Sequence, residues 1–440
     1  MKTILSILII VLFSNLILAQ NTVIPDSNFE QALISLGYDS GVPDGIVPTA
    51  NIDVITSLNV SLSNITDLTG IEDFIALDSL TCMSNQLTNL DITQNTALTL
   101  LACSDNQLTN LDVSQNTLLT NLNCFNNQLT SLNVTQNVVL TELHCSINQL
   151  TSIDVTQNIV LTILMFDSNL ITGLDVSQNT SLIRLDCGLN QLNSLNVSQN
   201  INLNYLNCHF NQLTNLNINQ NTALIELYCF NNQLSSIDIT QNTALIDFTC
   251  AFNQLVNLDV TQNTSLTSLN CFSNQLSMLD LTQNSVLTDF SCSSNQMTCL
   301  NVKNGNNLNF NSFYADNNTN LTCIEVDNST WSTANWINID VQTSFNTNCG
   351  NPCSVGIEEN TLSTVTIYPN PTIGTINIEL GELKTNVKAT LINSLRQVIL
   401  TQQFESTDII NLDIDAPTGI YFLQIETTEG ETKTIKILKE

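Results

Sequence analysis

The sequence predicts a solenoid of stacked 21-residue coils with short parallel strands, together with an N-terminal helical cap and a C-terminal antiparallel β-sandwich. Three observations support the coils. Ten cysteines from Cys82 to Cys292 share one register of 21 residues, with Phe166 filling the one gap. An asparagine follows each of these eleven positions by three residues, from Asn85 to Asn295. Alternating apolar and polar residues around each cysteine, as in "LNCFN", are typical of a short strand, and a fixed period indicates a repeat architecture.

Length and charge narrow the class of protein. The chain has 440 residues, 39 acidic and 9 basic side chains, and a formal charge of −30. This length exceeds one ordinary core, which favours an extended array or several domains. The negative charge would repel a phosphate backbone, so we expect no nucleic-acid partner. Between the leader and the last sixty or so residues only Arg184 and Lys303 are basic, which separates a C-terminal domain from the rest.

The first residues, "MKTILSILIIVLFSNLILAQ", have the features of a secretory signal. Lys2 precedes an apolar run, and the small Ala19 is placed for cleavage before Gln20, which would remove residues 1–19. No later apolar run is long enough to span a membrane, so we expect no transmembrane segment after signal removal.

Residues 20–57 are predicted to form a helical cap. In "SNFEQALISLG", Ser27 and Glu30 have the spacing of a capping box, and Gly37 is placed to end the helix. An apolar face that includes Phe29 and Leu33 is expected to cover the first coil, because the open end of a stacked array exposes core residues to water.

Residues 58–302 make up the predicted solenoid. The repeated cysteines share the alternation phase of the leucine two places before, so we expect them to point inward as compact apolar fillers with free thiols. Equivalent side chains on parallel neighbours lie about 4.8 Å apart, whereas a disulfide prefers Cβ atoms about 3.8 Å apart and turned toward each other. Disulfides between coils and a metal held by the row are the two alternatives, although a straight row offers no tetrahedral site.

The consensus LTxLxCxxNQLTxLDVTQNTx resembles the leucine-rich repeat, whose LxxLxLxxNxL signature it matches with cysteine in the third leucine position. Its 21-residue length and the phrase "NQLT" are similar to bacterial members related to internalins. The resemblance implies an arc-shaped solenoid that binds other molecules. A second extended stretch is predicted at "LDV".

Two polar columns accompany the cysteines. The asparagines are predicted to be structural, because their amides can satisfy turn groups that no strand partner reaches. The second column, after the leucine of "LDV", is rich in carboxylates that would stack about 5 Å apart and repel one another. Solvent and interleaved asparagines, or bound calcium, would relieve this repulsion; no other cofactor is expected. The column comprises Asp91, Asp112, Asn133, Asp154, Asp175, Asn196, Asn217, Asp238, Asp259, Asp280 and Asn301.

Residues 303–359 are predicted to be a C-terminal cap and linker with disulfides. Cysteines 299, 323, 349 and 353 allow three connectivities in an exported chain. The blocks "MTCLNV" and "LTCIEV" align at a spacing of 24, which puts Cys299 and Cys323 side by side on adjacent coils. We favour this pair, and Cys349 and Cys353 close the segment in "CGNPC".

Residues 360–440 read as alternating strands separated by turns at "NPTIG" and "PTG", which predicts the small antiparallel β-sandwich. The blocks "YPNPTIGTINIEL", "LINSLRQVIL", "PTGIYFLQI" and "KTIKILKE" resemble the C-terminal sorting domain of the type IX secretion system, known in Bacteroidota. The resemblance implies passage through the Sec signal and then the type IX machinery, followed by release or attachment at the outer-membrane surface.

A candidate binding face follows from the strand pattern. Residues that flank the inward cysteine should face outward on the concave side, where aromatic and acidic side chains gather. The alternative is that the aromatics only cover one another along the sheet. The candidates are Phe125, Tyr205, His209, Tyr228, Phe230 and Phe272, with Glu226, Asp247 and Asp289 beside them.

Catalysis is not expected. The two histidines, His144 and His209, lie three coils apart, so a Ser, His and Asp set is not indicated. The sequence has neither a Gly-rich phosphate loop nor clustered zinc ligands. We therefore predict a secreted or surface protein that binds another protein as an adhesin or adaptor. A glycan-binding module and a purely structural surface component are the alternatives.

Overall fold

The computed structural model describes residues 20–350, 353, 365–393, 397–427 and 432–440. The predicted signal peptide lies outside these residues. The chain divides into two compact units, Met1–Cys353 and Ser354–Glu440.

The first unit begins with a short hairpin and two helices. Their bounds are β1 (Asn21–Val23), α1 (Ser27–Leu36), β2 (Ile46–Pro48) and α2 (Thr49–Ile52). Strands β1 and β2 pair antiparallel.

Helix α1 begins and ends with side-chain and backbone caps. Its C-cap is Gly37 with a left-handed φ of 81°, as predicted. The predicted capping box is wrong, because the N-cap is Asp26, whose carboxylate accepts hydrogen bonds from the backbone N–H groups of Asn28 and Phe29. Glu30 instead accepts from the backbone N–H groups of residues 44 and 45, at 2.6 Å and 2.8 Å. It therefore fixes the loop that follows the helix.

The inner face of α1 belongs to the same core as the coils. Phe29 and Leu33 are fully buried in one continuous apolar cluster with the leucines of the solenoid. The Phe29 ring lies 6.3 Å from that of Phe74, which follows the 3-10 helix Ile71–Asp73. The helix thus packs on the beginning of the coils.

Thirteen three-residue strands form one parallel sheet along the solenoid. Each strand pairs in register with its equivalent one coil away, so residues of the same repeat position form straight rows. The strands are β3 (Ser57–Asn59), β4 (Ser79–Thr81), β5 (Leu100–Ala102), β6 (Asn121–Asn123), β7 (Glu142–His144), β8 (Ile163–Met165), β9 (Arg184–Asp186), β10 (Tyr205–Asn207), β11 (Glu226–Tyr228), β12 (Asp247–Thr249), β13 (Ser268–Asn270), β15 (Asp289–Ser291) and β17 (Ser312–Tyr314).

A second parallel sheet of four strands is confined to the last coils. It follows the order β14 (Met278–Asp280), β16 (Cys299–Asn301), β18 (Cys323–Glu325) and β19 (Ser344–Asn346). Among the described residues, the extended stretch predicted at "LDV" therefore forms paired strands only in these last coils. Earlier in the chain, Asn196 and Asn217 make an isolated parallel bridge at this position.

Two disulfides hold the end of this unit. They join Cys299 to Cys353 and Cys323 to Cys349. The predicted pair of Cys299 with Cys323 is wrong. These two cysteines begin the neighbouring parallel strands β16 and β18, and side chains in that relation run parallel instead of turning toward each other.

Aromatic residues fill the core beneath the last coils. Helix α3 (Ser329–Asn335) is followed by Trp336, whose ring stacks on that of Phe313 at 4.0 Å. Phe310 and Phe345 contact the same indole at 5.2 Å and 5.7 Å. The 3-10 helix Asn307–Asn309 precedes this cluster.

The second unit is an antiparallel sheet of five strands. Strand β21 pairs with β20 and β22 along its first part and with β22 and β23 along its second, and β24 pairs with β23. The antiparallel strands are confirmed, whereas the sandwich stays a prediction. The strands are β20 (Thr366–Tyr368), β21 (Thr375–Asn393), β22 (Val398–Asp413), β23 (Gly419–Glu426) and β24 (Thr432–Lys439).

Candidate functional site

The strand side of the solenoid carries three outward rows. In each of the thirteen strands the middle residue is buried. From β4 to β15 the first and third residues are half-buried, except Asp186, which is buried. We call the ten cysteines of the 21-residue register, from Cys82 to Cys292, the ladder cysteines. The residue after each of them forms a third row beside the strands. Because the strands pair in register, side chains of one row lie about 4.8 Å from their neighbours.

The ladder cysteines lie behind this face. All ten are free and fully buried, and Phe166 is fully buried in the same column. Burial raises the pKa of these thiols, to about 12 at Cys103, Cys229 and Cys271. A thiol with such a pKa stays protonated and unreactive at neutral pH. The interpretation as buried fillers is therefore confirmed.

The asparagine three places after each cysteine fixes the turn that leaves the strand. The side-chain amide of Asn127 donates to the carbonyls of Cys124 and of Cys103 in the preceding coil, both at 3.1 Å. Its Oδ1 accepts from the backbone N–H of Leu108 at 3.0 Å. The same set of bonds recurs along the column, so each coil is bonded to the next through a buried amide. The turn behind the strand face is thus held in every coil by the hydrogen bonds of this asparagine.

The aspartate column lies outside this face, on exposed turns. The Asp154 carboxylate accepts from the hydroxyl and backbone N–H of Thr156, at 2.7 Å and 3.0 Å. These two bonds lower the pKa of Asp154. Asn133 makes the same pair of bonds with Thr135. Aspartate and asparagine in this column therefore stabilise the turn through the same two hydrogen bonds.

Two tyrosines and two carboxylates come together on strands β10 to β12. The Tyr228 hydroxyl lies 3.0 Å from Glu226 Oε2 and 2.9 Å from Asp247 Oδ2. Burial raises the pKa of Tyr228, and its bond to Asp247 raises it further. The Tyr205 ring lies 5.7 Å from the Tyr228 ring. These four residues, all predicted from the sequence, form what we call the tyrosine–acid cluster.

Arg184 adjoins this cluster on strand β9. Its guanidinium carbon lies 3.6 Å from the centre of the Tyr205 ring, in the geometry of a cation–π contact. Asp186 on the same strand accepts a 3.3 Å bond from the Asn207 amide. Burial, with the nearby Asp167, raises the pKa of Asp186. The sequence prediction missed Arg184, which stands two coils before Glu226 in the same row.

The row beside the strands carries a second group of aromatics. His209 stacks on Phe230 with ring centres 4.6 Å apart. His209 Nδ1 lies 2.5 Å from Asn207 Oδ1, the oxygen that also accepts from the His209 backbone N–H, so Nδ1 carries the proton. Burial lowers the pKa of His209. At Gly188 any Cβ would stand 2.3 Å from the imidazole, so glycine is required for this ring to lie across the preceding coil.

Further apolar side chains occupy the next position, two residues after the ladder cysteine. Every such residue from Ser84 to Ser294 has a left-handed backbone, and most are serine, asparagine or aspartate. Four are large and apolar, with φ between 48° and 53° and 43% to 47% of the side chain exposed. A left-handed conformation costs an L-residue about 1–2 kcal/mol, and nearly half of each of these residues remains exposed to solvent. These four residues, which we call the apolar rim, are Ile147, Leu189, Phe210 and Phe252.

The predicted aromatics outside the tyrosine–acid cluster fall into three places. His209 and Phe230 are in contact, and Phe210 contacts both rings at 5.5 Å and 5.6 Å. Phe272 contacts Phe252 at 4.9 Å. Phe125 lies four coils before His209 in the same row, away from both groups. The prediction missed Phe210 and Phe252, although apolar residues in a column of small polar ones were a readable signal.

Asp289 and the strands before β9 carry further polar side chains of the face. The Asp289 carboxylate on β15 accepts from Asn311 and Ser312. A shallow depression of about 210 Å³ lies over strands β5 to β7, beside Glu142 and His144. The His144 Nε2 is 3.9 Å from Glu142 Oε2, and burial lowers the pKa of His144. The two histidines belong to different rows, as predicted.

Comparison with known proteins agrees with this geometry. The functional domain of InlJ from Listeria monocytogenes, described as including a cysteine ladder, is 31% identical to this chain and superposes with a TM-score of 0.64. The match covers 96% of this chain and 99% of that one. The chain belongs to the internalin-like leucine-rich repeat proteins.

Other comparisons add to this internalin-like assignment. The internalin InlF from the same organism matches at 20% identity with a TM-score of 0.61, covering 73% of this chain and 95% of that one, which supports the fold alone. Residues 366–440 match the secretion system C-terminal sorting domain. The sorting domain therefore directs export of the chain, through its secretion machinery, to the cell surface or outer membrane. No curated protein matches it. None of the helices in the described ranges has the length and apolar character to cross a membrane.

Proposed function

We propose that this protein is a secreted or surface-attached, non-catalytic binder that recognises another protein through the strand face, as an adhesin or adaptor does. The observation that carries the proposal is the concentration of aromatic, charged and apolar side chains on the coils of β9 to β13. They stand on consecutive rows of one sheet. Exposed aromatics gathered on one face are typical of protein interaction sites.

The mounting of the face supports binding. The rows are held by in-register strands and by the buried asparagine column. A rigid, preorganised surface loses little conformational entropy on association, so more of its contact energy is available as affinity. The stacked ring pairs, such as His209 on Phe230, leave part of each ring open to a partner.

We propose no catalytic or metal-dependent activity. Within the described ranges no group of three metal-ligating side chains occurs, and the ladder thiols are buried and protonated. We propose that neither calcium nor another cofactor is needed. An increase in melting temperature in millimolar calcium would contradict this, because a ligand that binds only the folded state stabilises it.

The ends of the solenoid and the tail have supporting roles in the proposal. Helix α1 would cover the first coil, and the aromatic cluster around Trp336 would cover the last, since open ends of a stack expose apolar residues. The tail would fold as the predicted sandwich and direct export.

Glycan binding is the second candidate. Tyr205 and Tyr228 lie next to the carboxylates of Glu226 and Asp247, and rings beside hydrogen-bond acceptors also suit sugars. A purely structural surface role is the third. It predicts no discrete partner and a loss of envelope integrity on deletion.

Site-directed photo-crosslinking would test the proposal. The mature chain would carry a benzoylphenylalanine at position 230 on the face, or at position 241 on an exposed turn between β11 and β12. In the native environment of the producing organism, we expect a discrete crosslink to a partner protein only with the probe at position 230. The variant Tyr228→Ala with a probe at 230 should lose this product while its melting temperature stays within a few degrees.

Three outcomes would contradict protein binding. Equal products from both positions would show that the face is not selective. A signal on a glycan array that Tyr228→Ala abolishes, without a protein product, would favour the glycan candidate. Neither product nor glycan signal, together with envelope defects on deletion, would favour the structural role.

A further inference from the structure

The strand face has an unbalanced charge. Its carboxylates include Glu142, Asp186, Glu226, Asp247 and Asp289, whereas Arg184 is its basic residue. From residue 20 to residue 359 only Arg184 and Lys303 are basic, in a chain of formal charge −30. Such a surface attracts cationic partners and repels anionic ones, including phosphate backbones and anionic membranes.

The tyrosine–acid cluster has acceptors that its own donors do not satisfy. The Tyr228 hydroxyl has one proton for the two carboxylates that flank it. Asp247 Oδ1 is a buried oxygen without a hydrogen-bond partner among the described residues. Ammonium and guanidinium groups bring three or five donors, and they bind carboxylates with the stronger charge-assisted bonds.

The neighbouring ring shows that this surface accepts a cation. The Arg184 guanidinium already lies over the Tyr205 ring at 3.6 Å. The Tyr228 ring lies next to Tyr205 and beside both carboxylates. A Lys or Arg side chain from outside would find an aromatic wall and two carboxylates at one point.

The apolar rim sets a second requirement for the partner, which must carry apolar side chains as well as basic ones. Four coils place Ile147, Leu189, Phe210 and Phe252 in a left-handed position where their neighbours use small polar residues. Nearly half of each of these residues is exposed, so part of its apolar surface is open to a partner. The rim is connected to the strand face through the contacts of His209 with Asn207 and with Phe210. Apolar and acidic surface therefore meet along one edge.

We infer that the partner is a protein segment that carries basic and apolar side chains together, with a Lys or Arg at the tyrosine–acid cluster and apolar groups on the apolar rim. This inference rests on the proposed function and specifies the chemistry of its partner. Charge complementarity selects a cationic protein, and the rim selects an amphipathic one.

Binding of three synthetic peptides to the mature chain would test the inference. The probes are 14-residue peptides that alternate Lys with Leu, Lys with Ser, or Glu with Leu. We expect the Lys–Leu peptide to bind at least ten times more tightly than the other two at 50 mM salt, with the affinity falling as salt rises.

Two pairs of variants locate the binding. Glu226→Gln with Asp247→Asn removes the two carboxylates and should weaken the Lys–Leu peptide at least tenfold. Asp238→Asn with Asp259→Asn removes the same charge from turns of the same region, where asparagine is native in other coils, and should change affinity less than twofold. Phe210→Asn with Phe252→Asn should abolish the preference for Lys–Leu over Lys–Ser.

The contrary outcomes are distinct. Equal losses from the two carboxylate pairs would reduce the binding to general charge attraction and overturn the inference. The inference would also be overturned if the Lys–Leu peptide bound no more tightly than the Lys–Ser peptide or the Glu–Leu peptide. If no peptide binds but the probe at position 230 still traps a protein, this inference fails and the proposed function stands. If the trapping fails as well, the proposed function fails with it.

Discussion

The inside of a coil and its strand face obey different rules, although they are built from adjacent residues. Inside, the middle strand residue is leucine or phenylalanine from β3 to β13, and the ladder position from β4 to β13 is cysteine except at Phe166. On the face, the first strand residue changes from Glu142 to Ile163 to Arg184 to Tyr205 over four coils. The interior is uniform because every coil packs on equivalent neighbours. The face is variable because nothing in the fold constrains it.

This difference indicates which repeat positions are candidates for a role in binding. A repeat position that departs from its column without a packing reason is a candidate for binding. The apolar rim is such a departure, because its residues are both strained and exposed. Phe166 is a departure with a packing reason, because its ring is fully buried in the core.

The largest expected effect concerns the buried thiols. Their pKa is raised by burial, to about 12 at Cys103, Cys229 and Cys271, from 9.0 for an exposed thiol. Unfolding releases these protons above pH 9, so stability is fully present below pH 9 and is lost as pH rises beyond it. Each thiol contributes about 1.4 kcal/mol per pH unit, and ten together contribute on the order of 10 kcal/mol by pH 10. Thermal unfolding between pH 8 and pH 10.5 measures the effect.

The variant Cys208→Ala with Cys229→Ala is the control for this pH dependence. It has two fewer ladder thiols and should lose about a fifth less stability over the same pH interval. A melting temperature that does not change between pH 8 and pH 10 would show that the ladder is open to solvent.

The disulfides give the next effect and sharpen the contrast between the two kinds of cysteine. Replacing Cys299 and Cys353 by alanine opens a loop of 54 residues, and the loop-entropy estimate gives a loss of about 4 kcal/mol. Replacing Cys323 and Cys349 opens one of 26 residues, for a loss of about 3.5 kcal/mol. Alanine at Cys208 should lower the unfolding free energy by only about 1 kcal/mol. Denaturant titration of the three variants decides the order.

The asparagine column should come third. Asn211 accepts from the Leu192 backbone N–H and donates to the carbonyls of Cys187 and Cys208, at 2.9 to 3.2 Å. Asn211→Ala orphans these buried groups and should lower the unfolding free energy by about 3 kcal/mol. Gln212→Ala, on the exposed neighbour, should change it by less than about 0.5 kcal/mol. Similar values for the two variants would remove the structural role of the column.

The smallest effect has the opposite sign. Ile147 is β-branched, exposed and left-handed with φ 52°. Ile147→Asn should raise the unfolding free energy by about 1 kcal/mol, since asparagine tolerates this conformation. Ile159→Asn, at an exposed turn of the same coil, should be neutral within about 0.5 kcal/mol. A loss of stability at position 147 would give the rim a packing role and weaken its case as a binding surface.

Most of the fold was predictable because it repeats. One coil gives a weak signal, whereas eleven coils in register establish the strand, the inward cysteine and the bonded asparagine. The features that failed are not repeated. Asp26 caps α1 and also accepts from the backbone N–H groups of Thr66 and Asp67. A contact across forty residues is invisible to local spacing, which pointed to Ser27 and Glu30.

The disulfide error has a different cause. Side-by-side placement on parallel strands argued against bonds within the ladder, and the same geometry should have argued against Cys299 with Cys323. The last two cysteines lie outside any strand, so they are free of this parallel constraint.

Part of the candidate site was also predictable. The outward alternation places Tyr205, Glu226, Tyr228 and Asp247 on the face, where they are found together. Phe210 and Phe252 lie in a column that also repeats every 21 residues, two places after the cysteine. They were missed because outward residues were sought only on the strands and directly next to the cysteine. Whether these residues bind a partner is not encoded in spacing.

A count of reactive thiols tests the division between a sulfur-filled interior and an open face most directly. The chain has fourteen cysteines, ten of them free and four in disulfides. We predict that a thiol reagent labels none in the native protein, ten after denaturation, and fourteen after denaturation with reduction. Rapid labelling of ladder cysteines in the native protein, or fewer than ten thiols after denaturation alone, would contradict this arrangement.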